Sequence, residues 1–222
     1  MIKIENVDVY GFEAAIRGMR SPLNSWTKSD SKWCVEPSEE CLTCENVQCY
    51  NKFVLGVNDL KLMRNLAKAG SDHGKFARMI NVTCDITAPV YIWAEIDTYK
   101  VSTVRNSCSF MHKGVSKPFE LSDFSIVSGN EEKLIPIIKQ LNELRDEYLE
   151  SKDDSIFYVI RQLLPQGYNV RATWQANYQV LWNMYNARKN HRLPEWHEFC
   201  RFVEKLPYFK EIFMTSDNNT QN

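Results

Sequence analysis

The amino-acid sequence predicts an α+β fold, with one central, mainly antiparallel sheet flanked by helices. Three observations point there. Apolar alternation of period two is confined to short stretches, residues 1–12 and Ala77–Pro89. Apolar positions with a period near 3.6 dominate from Glu131 to Lys205. No GxGxxG, GxSxG or phosphate-binding glycine loop occurs, and eight glycines leave little room for one, which argues against a doubly wound nucleotide fold.

In chain order, residues 1–12 read as a strand leading into Gly11. Residues 20–52 are rich in Ser, Asn, Pro, Glu and Cys without periodicity, and read as a long loop or small subdomain. Asn58-Asp59 then cap a helix carrying Leu60, Leu62, Met63 and Leu66, with Gly70 as its stop. Met79, Ile80, Val82, Cys84 and Ile86 alternate as a strand, and Pro89 opens a helix to about Asp97. Helices follow over Glu131–Lys152, Ser155–Leu164, Arg171 to about Asn190, and Pro194–Lys205, the last stopped by Pro207. One domain is expected over 1–214, with a cysteine-rich insertion at about 20–52 and a polar, disordered tail over 215–222.

The chain has 222 residues and balances 27 Lys plus Arg against 28 Asp plus Glu, for a net charge of -1. That balance excludes a histone-like or polybasic protein that partners nucleic acid, but leaves room for a local basic pocket. No apolar run approaches the roughly 20 residues of a membrane helix, and the start lacks a secretory apolar stretch. The expected location is therefore the cytoplasm, with neither a membrane nor nucleic acid as partner.

Seven cysteines, an odd number, argue against a disulfide framework. Cys34, Cys41, Cys44 and Cys49 crowd together in the loop and match the ligand count of a structural zinc site. An iron–sulfur cluster, or free thiols without metal, are the other readings. The histidines His73, His112, His191 and His197 show no helical metal-binding spacing. Arg161, Arg171, Asn177, Asn183 and Arg188 interleave with aromatics. On one long helix Asn177 and Arg188, eleven residues apart, share a face that could grip a nucleotide or only solvate the helix.

The stretch Ile160-Arg161-Gln162-Leu163-Leu164-Pro165, followed by Arg171-Ala172-Thr173-Trp174-Gln175-Ala176-Asn177 and by Leu181-x-Asn183-x4-Arg188, resembles the flavin-dependent thymidylate synthases. Val82 to Tyr91 is similar to that family's strand and its Ala-Pro helix start. The resemblance spans about 73–205. It implies a homotetramer with sites between subunits, and methyl donation to C5 of dUMP from methylenetetrahydrofolate, reduced by FAD hydride, without an enzyme nucleophile.

Residue by residue, the resemblance implies that Arg161 contacts the dUMP phosphate, and that Arg188 lies at the uracil N3 side and favours its ionisation, the catalytic part. Glu95 stands where the family has a nucleotide-contacting Gln; Cys108 and Ser109 complete the implied substrate set. The implied cofactor set is Asn177, Asn183, Lys100, Tyr99 and Asn106. The family's Arg-His-Arg reads here Thr98-Tyr99-Lys100, and its Glu-x-Ser-x-Arg-Tyr reads Asn106-Ser107-Cys108-Ser109-Phe110-Met111. Lysine does not reproduce an arginine's fork. This pattern is similar to a divergent branch found in phages and related bacteria. Three readings follow: a flavin-dependent enzyme on a pyrimidine nucleotide, a binding or assembly protein that kept the fold without the chemistry, and a metal protein centred on the cysteines.

Overall fold

The structure, a computed structural model, describes residues 2–34, 52–110 and 114–215. It divides into two units, Met1–Val7, Thr83–Gln175 and His191–Phe199 forming one, and Asp8–Val82, Ala176–Asn190 and Cys200–Asn222 the other. In chain order the strands are β1 (Lys3–Tyr10), β2 (Lys32–Cys34), β3 (Lys52–Val54), β4 (Asn81–Pro89), β5 (Val104–Ser107) and β6 (Asn169–Asn177). The helices are α1 (Phe12–Arg20), α2 (Val57–Lys68), α3 (Val90–Ile96), α4 (Ile135–Ser151), α5 (Asp154–Leu163), α6 (Tyr178–Arg188), α7 (Pro194–Glu204) and α8 (Phe209–Phe213). The expected α+β class is what the structure has.

A four-stranded sheet in the order β1-β4-β6-β5 organises the first unit. β5 runs antiparallel to β6, with Arg105 opposite Trp174 and Asn106 opposite Thr173. On β4 the buried residues Val82, Cys84, Ile86 and Ala88 alternate with less buried Thr83, Asp85 and Thr87. β6 repeats the pattern, with Ala172, Trp174 and Ala176 buried and Arg171 and Thr173 exposed. One face therefore carries the core and the other is polar, as antiparallel sheets permit. A further cluster, Phe119, Phe124, Leu134, Leu141 and Ile160, fastens α4 and α5 to the segment before them. Burying a side chain such as Leu141 or Ile160 contributes about 1.5–3 kcal/mol.

In the second unit α1 buries Phe12, Ala15, Ile16 and Met19, the i, i+3, i+4, i+7 stripe of an amphipathic helix. Gly11 precedes it at φ 100, and a Cβ there would meet the Met79 carbonyl oxygen at 2.1 Å, so only glycine fits. β2 and β3 form an antiparallel hairpin. Asp59, fully buried on α2, accepts five hydrogen bonds: from Arg20 Nε (2.6 Å), Ser29 Oγ (2.7 Å), Ser31 Oγ (2.6 Å) and the backbone N–H groups of Asp30 (3.2 Å) and Ser31 (3.1 Å). This carboxylate gathers the 29–31 segment, α1 and α2 around one buried charge.

Four expectations are corrected. The long helix over Arg171–Asn190 is a strand followed by a helix. Residues 172, 174 and 176 are buried in alternation, and the helix starts only at Tyr178, where the Asn177 Oδ1 accepts the Val180 N–H (3.0 Å). Asn177 and Arg188 consequently share no helical face. The strand expected from Ala77 begins at Asn81, because Gly74–Arg78 forms a 3₁₀ turn. Asn58 and Asp59 lie inside α2 rather than capping it; the remote Asp30 accepts their N–H groups at 2.8 and 3.1 Å. The helix expected from Glu131 begins at Ile135, with Pro136 in its first turn.

Candidate functional site

The first unit holds a cleft of about 800 Å³. Four cationic side chains line it (Arg105, Lys117, Arg161 and Arg171) against one carboxylate, Asp123. Its remaining wall mixes the apolar Val90, Trp93 and Leu164 with the polar Ser107, Ser109, Tyr168 and Asn169.

Each wall has a local cause. α3 starts at Val90 behind Pro89, and its first two N–H groups have no partner within the helix. They donate to the carbonyls of Tyr168 (3.0 Å) and Gln166 (3.3 Å), so the turn after α5 caps α3. Trp93 Nε1 adds a bond to the Val170 carbonyl (2.9 Å). The same turn is tied from the other side, where the Ser125 N–H donates to the Gly167 carbonyl (2.7 Å) and Ser125 Oγ to Asn169 Oδ1 (2.7 Å). A Cβ on Gly167 would fall 2.7 Å from the Ser125 carbonyl oxygen, which requires glycine for that approach.

The opposite wall, residues 114–123, is a loop held by helix side chains. Asn142 on α4 accepts the Phe119 N–H (2.7 Å) and donates to the Phe119 carbonyl (2.9 Å). Arg145 Nε donates to the Val115 carbonyl (3.0 Å). Within the loop Asp123 accepts from Lys117 Nζ (2.8 Å) and from the Glu120 N–H (2.9 Å). The Asp123 hydrogen bond raises the Lys117 pKa and so favours its charged form.

The cations differ in their partners. Arg105 pairs with Asp97 (2.8 Å) and lies 4.9 Å over the Trp93 ring. Arg171 pairs with Asp85 (2.9 Å), whose carboxyl is pulled down to about 2 by hydrogen bonds from Thr173, Asn6 and Arg171. Arg161, in the last turn of α5, faces the Phe110 ring (5.8 Å), and among the described residues no carboxylate pairs with it. A guanidinium left with its N–H groups open in a cationic cleft is suited to an oxyanion.

Of the expected substrate residues, Arg161, Cys108 and Ser109 are brought together in this cleft. Glu95 is outside it, accepting from Trp196 Nε1 (2.8 Å), with His191 Nε2 at 3.7 Å. Of the expected cofactor residues, Tyr99 lies against the Trp196 ring (6.5 Å), and Lys100 and Asn106 are exposed in the same unit. Asn177, Asn183 and Arg188 belong to the second unit. Asn177 is buried and spends its Oδ1 on capping; Asn183, exposed, accepts from Gln179 Nε2 (3.1 Å); Arg188 is half-buried in the last turn of α6. Cys34 ends β2, while Cys41, Cys44 and Cys49 lie outside the described residues. Among the described residues no three His, Cys, Asp or Glu side chains gather as a metal requires. None of their helices is long and apolar enough to cross a membrane.

No protein-family model matches the chain, and no curated protein matches it by sequence. Solved structures do. One is flavin-dependent thymidylate synthase ThyX from Helicobacter pylori complexed with FAD and dUMP, with a TM-score of 0.68 and 14% identity, covering 96% of this chain and 98% of the other. A second structure of that enzyme with FAD and dUMP, at 2.31 Å resolution, gives the same score and identity over 97% of its chain. This chain has the thymidylate synthase ThyX fold. The likeness runs over nearly the whole of both chains, so the cleft is set in a complete ThyX fold rather than in a shared fragment.

No pattern in the sequence singles out Arg105, Lys117 or Asp123, and Arg171 falls in a stretch that reads as a helix. The alternation of Ala172, Trp174 and Ala176 was the signal for Arg171. Arg105 and Lys117 carry none, because they reach the cleft only through β5–β6 pairing and the Asn142 tether.

Proposed function

We propose that the protein binds a pyrimidine nucleotide of the dUMP type in the cationic cleft and carries out methylation, or a related one-carbon transfer, at C5 with reduced FAD. The observation that carries the reading is the joining of Arg161, Cys108 and Ser109 in one cleft of a chain with the ThyX fold. Arg161 holds the phosphoryl oxygens through its open N–H groups, and Ser109 and Cys108 contact the nucleotide beside it. The chemistry of this reading needs no covalent attack on the base by a protein group.

The accessible groups of the first unit fit part of an FAD site: the Lys100 cation for a phosphoryl charge, the Tyr99 ring for stacking and the Asn106 amide for hydrogen bonding. Asn177 does not fit, since its side chain is buried and caps α6. FAD, when bound, supplies the hydride that takes a transferred methylene to a methyl group, and methylenetetrahydrofolate is the matching carbon donor. Self-association as a homotetramer belongs to the same reading; the exposed Tyr158, Val159 and Leu163 on α5, at 55%, 39% and 47%, offer apolar surface for it.

The test is the visible spectrum of the purified protein before and after FAD is added and the excess removed, followed by dUMP titration. A retained flavin band and saturable dUMP binding support the reading. A colourless protein that binds dUMP favours a second reading, a nucleotide-binding protein without the chemistry. The Thr98-Tyr99-Lys100 segment, with one cation where the family has two arginines and a histidine, speaks for that alternative. Light scattering tests the tetramer, and a monomeric mass refutes it.

A further inference from the structure

Asp97, Asp123 and Asp85 each hold one cation of the cleft, but they are themselves held differently. Asp97 belongs to a 3₁₀ turn after α3 and Asp123 to another within the 114–123 loop. Asp85 sits mid-strand on β4 and is gripped from both neighbouring strands. Asn6 on β1 donates through Nδ2 to its Oδ2 (2.8 Å), while Thr173 on β6 donates through Oγ1 to its Oδ1 (2.6 Å). Arg171 Nη2 takes the remaining approach to Oδ2 (2.9 Å). Asp85 is not among the residues that line the cleft, whereas Arg171 is.

Only one nitrogen of the Arg171 guanidinium is used in this way, and among the described residues the others have no acceptor. Its side chain is 57% exposed, so those donors can reach a ligand oxygen. The backbone carbonyl of Arg171 also accepts the Cys108 N–H (3.1 Å), fixing the point where the chain leaves β5 to form the cleft wall. A flexible arginine loses considerable rotamer freedom when it binds an anion, and a carboxylate clamped from two strands removes that loss in advance.

We propose that Asp85 is a positioning residue, holding the Arg171 guanidinium at the cleft as a preset contact for a phosphoryl oxyanion, in addition to Arg161. The ligand class is a compound with a terminal phosphoryl group; its identification as a nucleotide rests on the reading above, while the positioning role does not.

The experiment titrates the full chain with inorganic phosphate, dUMP and deoxyuridine by calorimetry, in wild type, Arg171→Ala, Asp85→Asn and the double variant. Asp85→Asn keeps the side chain's size and an acceptor for Thr173. Both single variants are expected to weaken phosphate and dUMP about tenfold, the size of one lost charge-assisted contact, and to leave deoxyuridine unchanged. In the Arg171→Ala background Asp85→Asn is expected to have no further effect. A full additional loss there, equal losses for deoxyuridine, or no loss in either single variant overturns the proposal. Asp85-dependent phosphate binding without dUMP binding upholds the proposal while refuting the nucleotide reading; binding of neither by wild type refutes both. If Asp85→Asn does not fold, Thr173→Val takes its place: a several-fold weaker phosphate affinity supports the clamp, and an unchanged one sinks it.

Discussion

Removing the Asp59 carboxylate is expected to cost the second unit more than any single surface change. Asp59→Ala deletes an acceptor of five hydrogen bonds and leaves Arg20, whose side chain is 5% exposed, as an uncompensated buried cation. Breaking a buried pair from one side costs about 3–5 kcal/mol. For a chain of this size each kcal/mol lowers Tm by about 2–4 °C, so the drop is roughly 6–20 °C. Replacing both partners with apolar side chains, Arg20→Met with Asp59→Leu, should recover a good part of that loss, because no unpaired charge remains. Burial by itself would raise the Asp59 pKa, but hydrogen bonds from Ser31, Ser29 and Arg20 outweigh it and hold the carboxyl below its ordinary value. Its contribution is therefore present above the unfolded value of about 3.9 and lost as pH falls through the lower folded value. Thermal and urea unfolding of the three proteins at pH 7, followed by circular dichroism, decide the matter. A loss below about 1 kcal/mol for Asp59→Ala, or a double variant less stable than the single, would refute the reasoning.

Other outcomes follow from the cleft. Arg161→Ala should weaken dUMP by about tenfold or more and Arg161→Lys by less, because lysine keeps the charge without the fork; equal affinities in titration calorimetry would remove Arg161 from the site. Asn142→Ala leaves the Phe119 N–H and carbonyl without their partner and should cost about 1–3 kcal/mol in urea unfolding, with slower-exchanging amides of 114–123 becoming unprotected. Asp85, at about 2 in the folded chain, contributes stability that is fully present above the ordinary aspartate value and declines as pH falls toward 2. The urea midpoints of wild type and Asp85→Asn should therefore differ at pH 6 and converge near pH 2; a constant gap contradicts the assignment.

The fold class, the strand on either side of Cys84 and Ile86, and the helix behind Pro89 were legible because each rests on local pattern. The misplaced element is instructive for the same reason. Ala172 and Ala176 favour helix, and the apolar positions Val180, Leu181 and Met184 continue downstream, so the segment looked like one long helix. The period-two burial and the capping Asn177 carried the contrary signal, and tertiary pairing with β5 decided it. Among the residues that line the cleft, Arg161 stands in a motif the sequence displays. Arg105, Lys117 and the Asp85 clamp were not legible, since each depends on strand neighbours or a loop tether far apart in sequence.

The Asn142 tether has a consequence for variation. A carboxamide that offers one acceptor and one donor to a single residue's backbone does what an adjacent strand would do, without a strand being there. It reads peptide groups rather than side chains. Residues around Phe119 can therefore change their chemistry, and with it what the cleft accepts, while the path of the wall stays fixed by one position on a neighbouring helix. Ligand preference and wall geometry are thereby assigned to different parts of the sequence.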